Sequence, residues 1–317
     1  MLNAIRPICV AAVCLAAVTA TGGEPTTLSV LTGRGSSVYY TLGVALASSI
    51  EKAVPGVKTL VQGTKGPIEN LDLLRRGSAE IAFAPGDVLA EAWKGTEESG
   101  FKAPLKSLRG IAAIYPDYVQ IVARADSGIR ALSDLKGKRV SVGAPRSVTE
   151  LDARMIFTAA GLPYSSFAAT QYFPFGESVE LMKDGRIDAM VQSGAAGALA
   201  LRDLANALDI VVVPVPPDVI EKIHSAVYLP ATIPANTYRG QTMSVPVAAV
   251  QNYLVTRADL DADVVYAITK ALWTGVDQLV AAHPAAKAMD RRRALEGMPV
   301  PLHPGAEKYY KEIRLIR

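Results

Sequence analysis

The stretch Glu69-Asn-Leu-Asp-Leu-Leu-Arg-Arg-Gly77-Ser-Ala-Glu80-Ile-Ala-Phe83 returns 108 positions later as Glu177-Ser-Val-Glu-Leu-Met-Lys-Asp-Gly185-Arg-Ile-Asp188-Ala-Met-Val191. Acid, apolar, base and glycine positions fall in register, so each copy reads as a short amphipathic helix stopped by glycine ahead of a buried strand. One such match is common in α/β chains. Upstream, however, Gly33-x-x-x-Ser37-Val38 returns as Gly143-x-x-x-Ser147-Val148 at an offset of 110, each directly after a strand (Leu28 to Leu31; Val140 to Val142) and before a helix. A third echo pairs Val122-Ala-Arg-Ala-Asp126 with Val255-Thr-Arg-Ala-Asp259, both closing long apolar runs. Three ordered echoes imply a unit written twice, with two related strands crossing between the copies.

Working outward from Thr26, the order of elements is β-α-β-α-β. Strand Leu28 to Leu31 meets a Gly-rich turn, and the next helix carries Val38, Leu42, Ala45, Leu46, Ser49 and Ile50 on one face until Gly56. Strand Val57 to Gly63 follows, then a short helix around Ile68, Leu71 and Leu74 with Pro67 in its first turn, then strand Ile81 to Ala84. This alternation predicts an α/β fold with parallel strands and helices on both faces. The expected layout is two Rossmann-like lobes joined by two crossing strands with a cleft between them. Residues 26–118 plus 229–317 form lobe one and 119–228 lobe two. Tyr115-Pro116-Asp117 and Tyr228-Leu229-Pro230 are the expected crossing points, and Ala262 to Ala282 is read as one helix.

Composition narrows the function. The 317 residues are 50% hydrophobic with a formal net charge of +3, enough for about two globular domains and no excess of base for a phosphate backbone. His224, His283 and His303 stand apart at no metal or triad spacing, and both cysteines lie within the first fourteen residues. No cofactor or metal is expected. Residues 1–20 combine Arg6, the apolar run Ile8 to Ala20 and Val18-x-Ala20, and read as a secretory leader. Thirteen apolar residues rise only about 20 Å as a helix, short of a roughly 30 Å bilayer core. A soluble periplasmic protein, cleaved after the leader, is the expectation.

In open α/β sheets ligands lie beyond the carboxyl ends of strands, where loops enter helices and leave amides unpaired. Two such loops stand out. Gly33, Arg34, Gly35, Ser36 and Ser37 lead into one helix, followed by Tyr39 and Tyr40; Arg146, Ser147, Thr149 and Glu150 follow Gly143 into another. Partial positive charge at a helix start and a nearby arginine favour a small carboxylate. Asn70 and Asp87 follow strand ends in the first copy, and Gln192 and Ser193 the equivalent end in the second. Ser37 and Ser147 equally suit plain N-caps, and the arginines equally suit solvated loops. Gly33-x-Gly35 lacks the third glycine of a dinucleotide fingerprint, Val38 standing there.

The residues Gly33 to Gly43, Glu69-Asn70-Leu71, Asp134-Leu-Lys-Gly-Lys-Arg-Val140, Gly143-Ala-Pro, Asp188-Ala, Ile233-Pro-Ala-x-Thr-Tyr-x-Gly240 and Pro301-Leu-His-Pro-Gly-Ala-Glu-Lys-Tyr-Tyr310 together resemble the TAXI family of TRAP transporter solute receptors. The resemblance implies a type II periplasmic binding fold, small organic acids or acidic amino acids as ligands, hinge closure, and delivery to TRAP membrane permease subunits. It places ligand loops at Gly33 to Tyr40, Gly66 to Asn70, near Asp87, and Gly143 to Glu150. Where the family carries small residues, this chain has Arg34, Ser36-Ser37, Pro67 and Arg146-Ser-Val-Thr149, and Gly194-Ala-Ala-Gly197 replaces a Gly-Tyr-Pro-like element. Two added arginines favour a dicarboxylate, or themselves fill part of the pocket. A sensor presenting its closed form to a signalling membrane partner is the alternative. An enzyme using Asp87 and Glu150 as acid and base lacks an accompanying nucleophile or cofactor loop, so no catalytic activity is expected.

Overall fold

The computed structural model describes residues 26–35, 37–95 and 100–317; the leader and Ser36 lie outside the described residues. The chain begins β1 (Thr26–Thr32), α1 (Val38–Ala53), β2 (Val57–Gly63), α2 (Pro67–Arg75), β3 (Ile81–Pro85) and α3 (Gly86–Lys94). The long β4 (Leu108–Arg124) follows, then β5 (Arg139–Ser141), α4 (Val148–Ala159), β6 (Ala169–Gln171), α5 (Phe175–Lys183) and β7 (Ala189–Gly194). After α6 (Leu199–Ala207), β8 (Ile210–Val213), α7 (Pro217–Glu221) and β9 (Tyr228–Ile233) comes a second long strand, β10 (Val245–Arg257). Helices α8 (Ala262–Thr274), α9 (Val276–Ala282) and α10 (Pro304–Glu312) end the chain.

These strands form one continuous sheet in the order β2-β1-β3-β10-β4-β7-β5-β6, with β8 added on β4 and β9 on β10. β1 pairs in parallel with β2 and β3, and β5 with β6 and β7, so each copy of the repeated unit supplies a parallel triplet. Between the triplets β4 and β10 run antiparallel to each other, and their register shifts between Gln251 and Tyr253, opposite the Ala113 to Pro116 stretch. The two long strands are therefore the shared spine.

The echoes occupy equivalent places. Ser37 and Ser147 each cap a helix, the hydroxyl accepting from the amide three residues on, Tyr40 and Glu150, at 3.2 Å in both cases. Gly77 and Gly185 end α2 and α5 with φ of 70° and 68°, left-handed values that a side chain would strain. Apolar residues gather on both faces of each half. Leu42, Leu46, Ile50, Val265, Ile268 and Tyr310 cover one face of the first triplet, and Leu71, Leu74, Val88 and Leu89 the other. Val140, Ile156 and Phe157, and separately Val179, Met182 and Leu204, do the same in the second.

Two expectations are corrected. Tyr228 to Pro230 is no crossing: it belongs to β9, an edge strand pairing only with β10, where the missing N–H of Pro230 is tolerated, and β10 makes the crossing. Accordingly Ile233, Tyr238 and Val247 pack with Val122, Val179 and Met190 in the second half. The tail helix is two, α8 and α9, broken at Gly275, where a Cβ would lie 2.4 Å from Ser49 Oγ. Close approach of α1 explains the break.

Candidate functional site

The carboxyl ends of β1, β2 and β3 and of β5, β6 and β7 lead into the starts of α1, α2, α3, α4, α5 and α6. A cleft of about 1190 Å³ opens between the start of α2 (Lys65 to Glu69) and the start of α4 (Arg146 to Leu151), floored by Val88 and walled by Gly100 to Leu105. Gly66 caps α2 at φ 146° with no side-chain bond, and Pro67 takes the first turn, so the Ile68 and Glu69 amides have no partner in the preceding turn. On the facing side Ser147 caps α4 and takes the Glu150 amide, leaving those of Val148 and Thr149 with no partner in the preceding turn.

Among the described residues, charge in the cleft is predominantly positive. Asp72 holds Arg75 at 2.7 Å and Arg76 at 2.6 Å, and Glu150 faces Arg154 at 3.7 Å. Lys65, Lys102 and Arg146 line the same space without an ion pair among the described residues. Arg146 has φ 61°, a left-handed backbone that costs a non-glycine residue about 1–2 kcal/mol. The strain sits on an exposed residue that lines the cleft directly before the start of α4.

The other sequence-selected residues divide by place. Gly33, Arg34 and Gly35 form the turn before α1; Arg34 is exposed, Gly63 passes beside Gly33, and the turn does not line the cleft. Tyr39 turns inward, stacks on Phe83 at 5.2 Å, and donates to Asn252 Oδ1, while Tyr40 is half-buried with its amide on Ser37. Asn70 is spent internally, accepting from Thr64 Oγ1 at 2.6 Å and donating to Phe83 O at 3.0 Å, which lashes α2 to β3. Thr149 Oγ1 accepts the Ser193 amide at 3.3 Å, and Gln192 donates to Ser193 O at 2.6 Å.

Behind the cleft lies an acidic centre that the sequence pattern did not single out, apart from Asp87. Asp152, on α4, is fully buried and accepts from Ser193 Oγ and from Tyr228 Oη at 2.8 Å. Asp117, on β4, accepts from Asn252 Nδ2 at 3.0 Å. Burial raises Asp152 to about 7 against the pull of its two hydroxyl partners, and raises Asp117 to about 6 against the Asn252 bond. Burial, then Asp152, lifts Asp87 well above the usual carboxylate range. Tyr39, Tyr115 and Tyr228 are raised too, by burial first and then by these carboxylates. A signal existed: Asp152 shares the apolar face of α4 with Ile156, and Asp117 interrupts the apolar run of β4.

The chain matches the NMT1-like family over residues 30–313. It belongs to that family. Among solved structures, the NMT1-like chain is similar to a TctC solute-binding protein from Polaromonas, at 15% identity over 92% of this chain and 99% of that one, with TM-score 0.56. It is also similar to PhnD1 from Prochlorococcus marinus in complex with methylphosphonate, at 13% identity over 92% and 100%, with TM-score 0.54. The periplasmic aliphatic sulphonate binding protein SsuA from Escherichia coli gives 16% identity over 92% and 84%, with TM-score 0.51. At these identities the likeness is one of fold: the NMT1-like chain has the two-lobe architecture of periplasmic binding proteins. Among the described residues, no helix is long and apolar enough to cross a membrane.

Proposed function

We propose that this NMT1-like protein is a periplasmic solute receptor that captures a small organic acid between its lobes and delivers it to a membrane permease. The observation that carries this is the cleft between the α2 and α4 starts, lined by the first turns of two helices and by three cations, Lys65, Lys102 and Arg146, that have no ion pair among the described residues. Helix starts and fixed cations attract an anion, and an anion touching both sides favours the shut form over the open one. No bond is made or broken. Moving the hinge from 1:99 to 99:1 needs about 5.5 kcal/mol of differential binding, within reach of several charge-assisted contacts from two lobes.

Lobe one comprises residues 26–118 with the carboxy-terminal part of the chain, and lobe two begins at 119. The return falls within β10, because Val247 and Ala248 pack with the second half and Leu254 and Val255 with the first. The leader at residues 1–20 directs export. The TAXI resemblance supports TRAP permease subunits as the partner and an organic acid or acidic amino acid as ligand. Of the two arginines that favour a dicarboxylate, Arg146 lines the cleft and Arg34 does not, so the pairing of Arg34 with Arg146 gives no support to a second carboxylate. Titration calorimetry with a panel of organic acids, repeated on Arg146→Ala, tests the assignment. Binding that weakens at least tenfold in the variant supports it; affinity indifferent to Arg146 overturns the place assigned to the anion.

A further inference from the structure

Asp87 is 3% exposed, yet both of its carboxylate oxygens are buried without a hydrogen-bond partner. Its own amide and that of Val88 favour the anion weakly without reaching bonding geometry. The charged group weighing most on it is Asp152, followed by Asp117. Asp87 starts α3 behind β3 of the first triplet, whereas Asp152 stands on α4 between β5 and β6, so the two carboxyls come from opposite sides of the fold. The neighbours that weigh most on the three acids are one another, Ser193, Tyr228 and Asn252; none is a base. A buried carboxylate left with neither hydrogen bond nor counter-charge is costly, and folded chains keep one where function supplies the partner.

Resting on the solute-receptor reading above, we propose that Asp87 and Asp152 form an ammonium subsite: the ligand carries a protonated amine that bridges these two carboxylates while its acid end meets the helix starts and Arg146. A metal ion fits poorly, because among the described residues no three His, Cys, Asp or Glu side chains converge as a metal site. An ammonium, with three donors and no fixed coordination geometry, suits two acceptors on facing elements. The subsite also supplies the closing force. In the empty protein burial favours the neutral form of both acids, so nothing draws the facing elements together; a cation that ionises the pair and lies between the two carboxylates does. The favoured solute is thus zwitterionic rather than a plain dicarboxylate.

Titratable groups surround this pair: Tyr39 from α1, Asp117 from β4 and Tyr228 from β9 interact with it directly, with Tyr115 of β4 beside Asp117 and Glu91 of α3 near Tyr228. The tyrosines stay neutral, since burial raises all three. Cation binding must therefore drive protons off the acids, and affinity rises as pH rises from 5 to 8.

The test is titration calorimetry of the full protein with three matched pairs: L-alanine and propionate, 4-aminobutyrate and butyrate, L-aspartate and succinate. In whichever pair binds, the amine-bearing member is expected to bind roughly 30-fold tighter, the equivalent of ~2 kcal/mol for a desolvated charge pair. Titration at pH 6.5 in two buffers of different ionisation enthalpy is expected to show proton release. Asp87→Asn is expected to abolish the margin and to raise the melting temperature of the empty protein, by removing an unpaired buried carboxyl. Acids that bind equally well without the amine, or that bind with proton uptake onto Asp87, overturn the subsite while leaving the receptor reading standing. A lower melting temperature in Asp87→Asn with the margin intact assigns Asp87 to structure and refutes the proposal. Binding by none of the six refutes the receptor reading and the subsite together.

Discussion

Asp117 gives the sharpest stability test, because its perturbation is a single side chain with a defined pH window. Its carboxyl sits among Asn252, Tyr39 and Tyr115, and burial raises it to about 6, where an ordinary aspartate has about 3.9. Below pH 4 the group is protonated in both native and unfolded chains and contributes no pH dependence. Between pH 4 and 6 the unfolded chain loses the proton while the native one keeps it, so stability falls as pH rises; above 6 the penalty is constant. Two units at about 1.4 kcal/mol each give about 3 kcal/mol. Asp117 as a whole is half-buried, water screens part of this, and about 1.5 kcal/mol is the lower bound to expect. Asp117→Asn keeps an acceptor for Asn252 and removes the titration. Urea unfolding of both proteins at pH 4.5 and pH 7.5 is the assay: about a third of the penalty is already present at pH 4.5, so the wild type is expected to lose about 1–2 kcal/mol more than the variant over that interval. Parallel pH profiles would refute the placing of this carboxyl in a poorly solvated, base-free interior.

Three further outcomes follow from the packing and the cleft. Gly305→Ala drives a Cβ to within 2.1 Å of Ala262 O, which forces α10 off α8; a loss of about 1–3 kcal/mol is expected by chemical unfolding. Arg139→Ala removes a half-exposed ion pair to Asp188 that ties β5 to the end of the repeated glycine turn, and is expected to cost under about 1 kcal/mol by the same measurement. Arg34→Ala, at an exposed turn outside the cleft, is expected to leave organic-acid affinity within about twofold by calorimetry, in contrast to Arg146→Ala.

Backbone architecture was legible because it is written in local, repeated chemistry. The glycines at 77 and 185 stop helices that a 3.6-residue apolar period defines, and Ser37 and Ser147 mark helix starts three residues ahead of the amides they cap. The break at Gly275 was hidden because its cause is α1, far away in sequence, whose Ser49 leaves no room for a Cβ. The crossing was placed too early for a similar reason: β9 and β10 are both apolar runs, and only pairing separates the edge strand from the spine. At the cleft, Arg146 and Ser147 stand where the loop pattern puts them, directly before α4. Arg34 fits the same loop pattern, but its turn packs beside Gly63 and does not line the cleft. The acidic centre was largely illegible, since Asp87, Asp117 and Asp152 sit in three separate elements and meet only when the two halves come together.

The most direct test of capture between two lobes is a crystal structure of the protein purified gently enough to retain its solute. Density for a small organic ion within hydrogen-bond reach of the Val148 and Thr149 amides and of Arg146, touching the α2 start opposite, is the predicted result. A bound solute on an outer face, away from both helix starts, would contradict it.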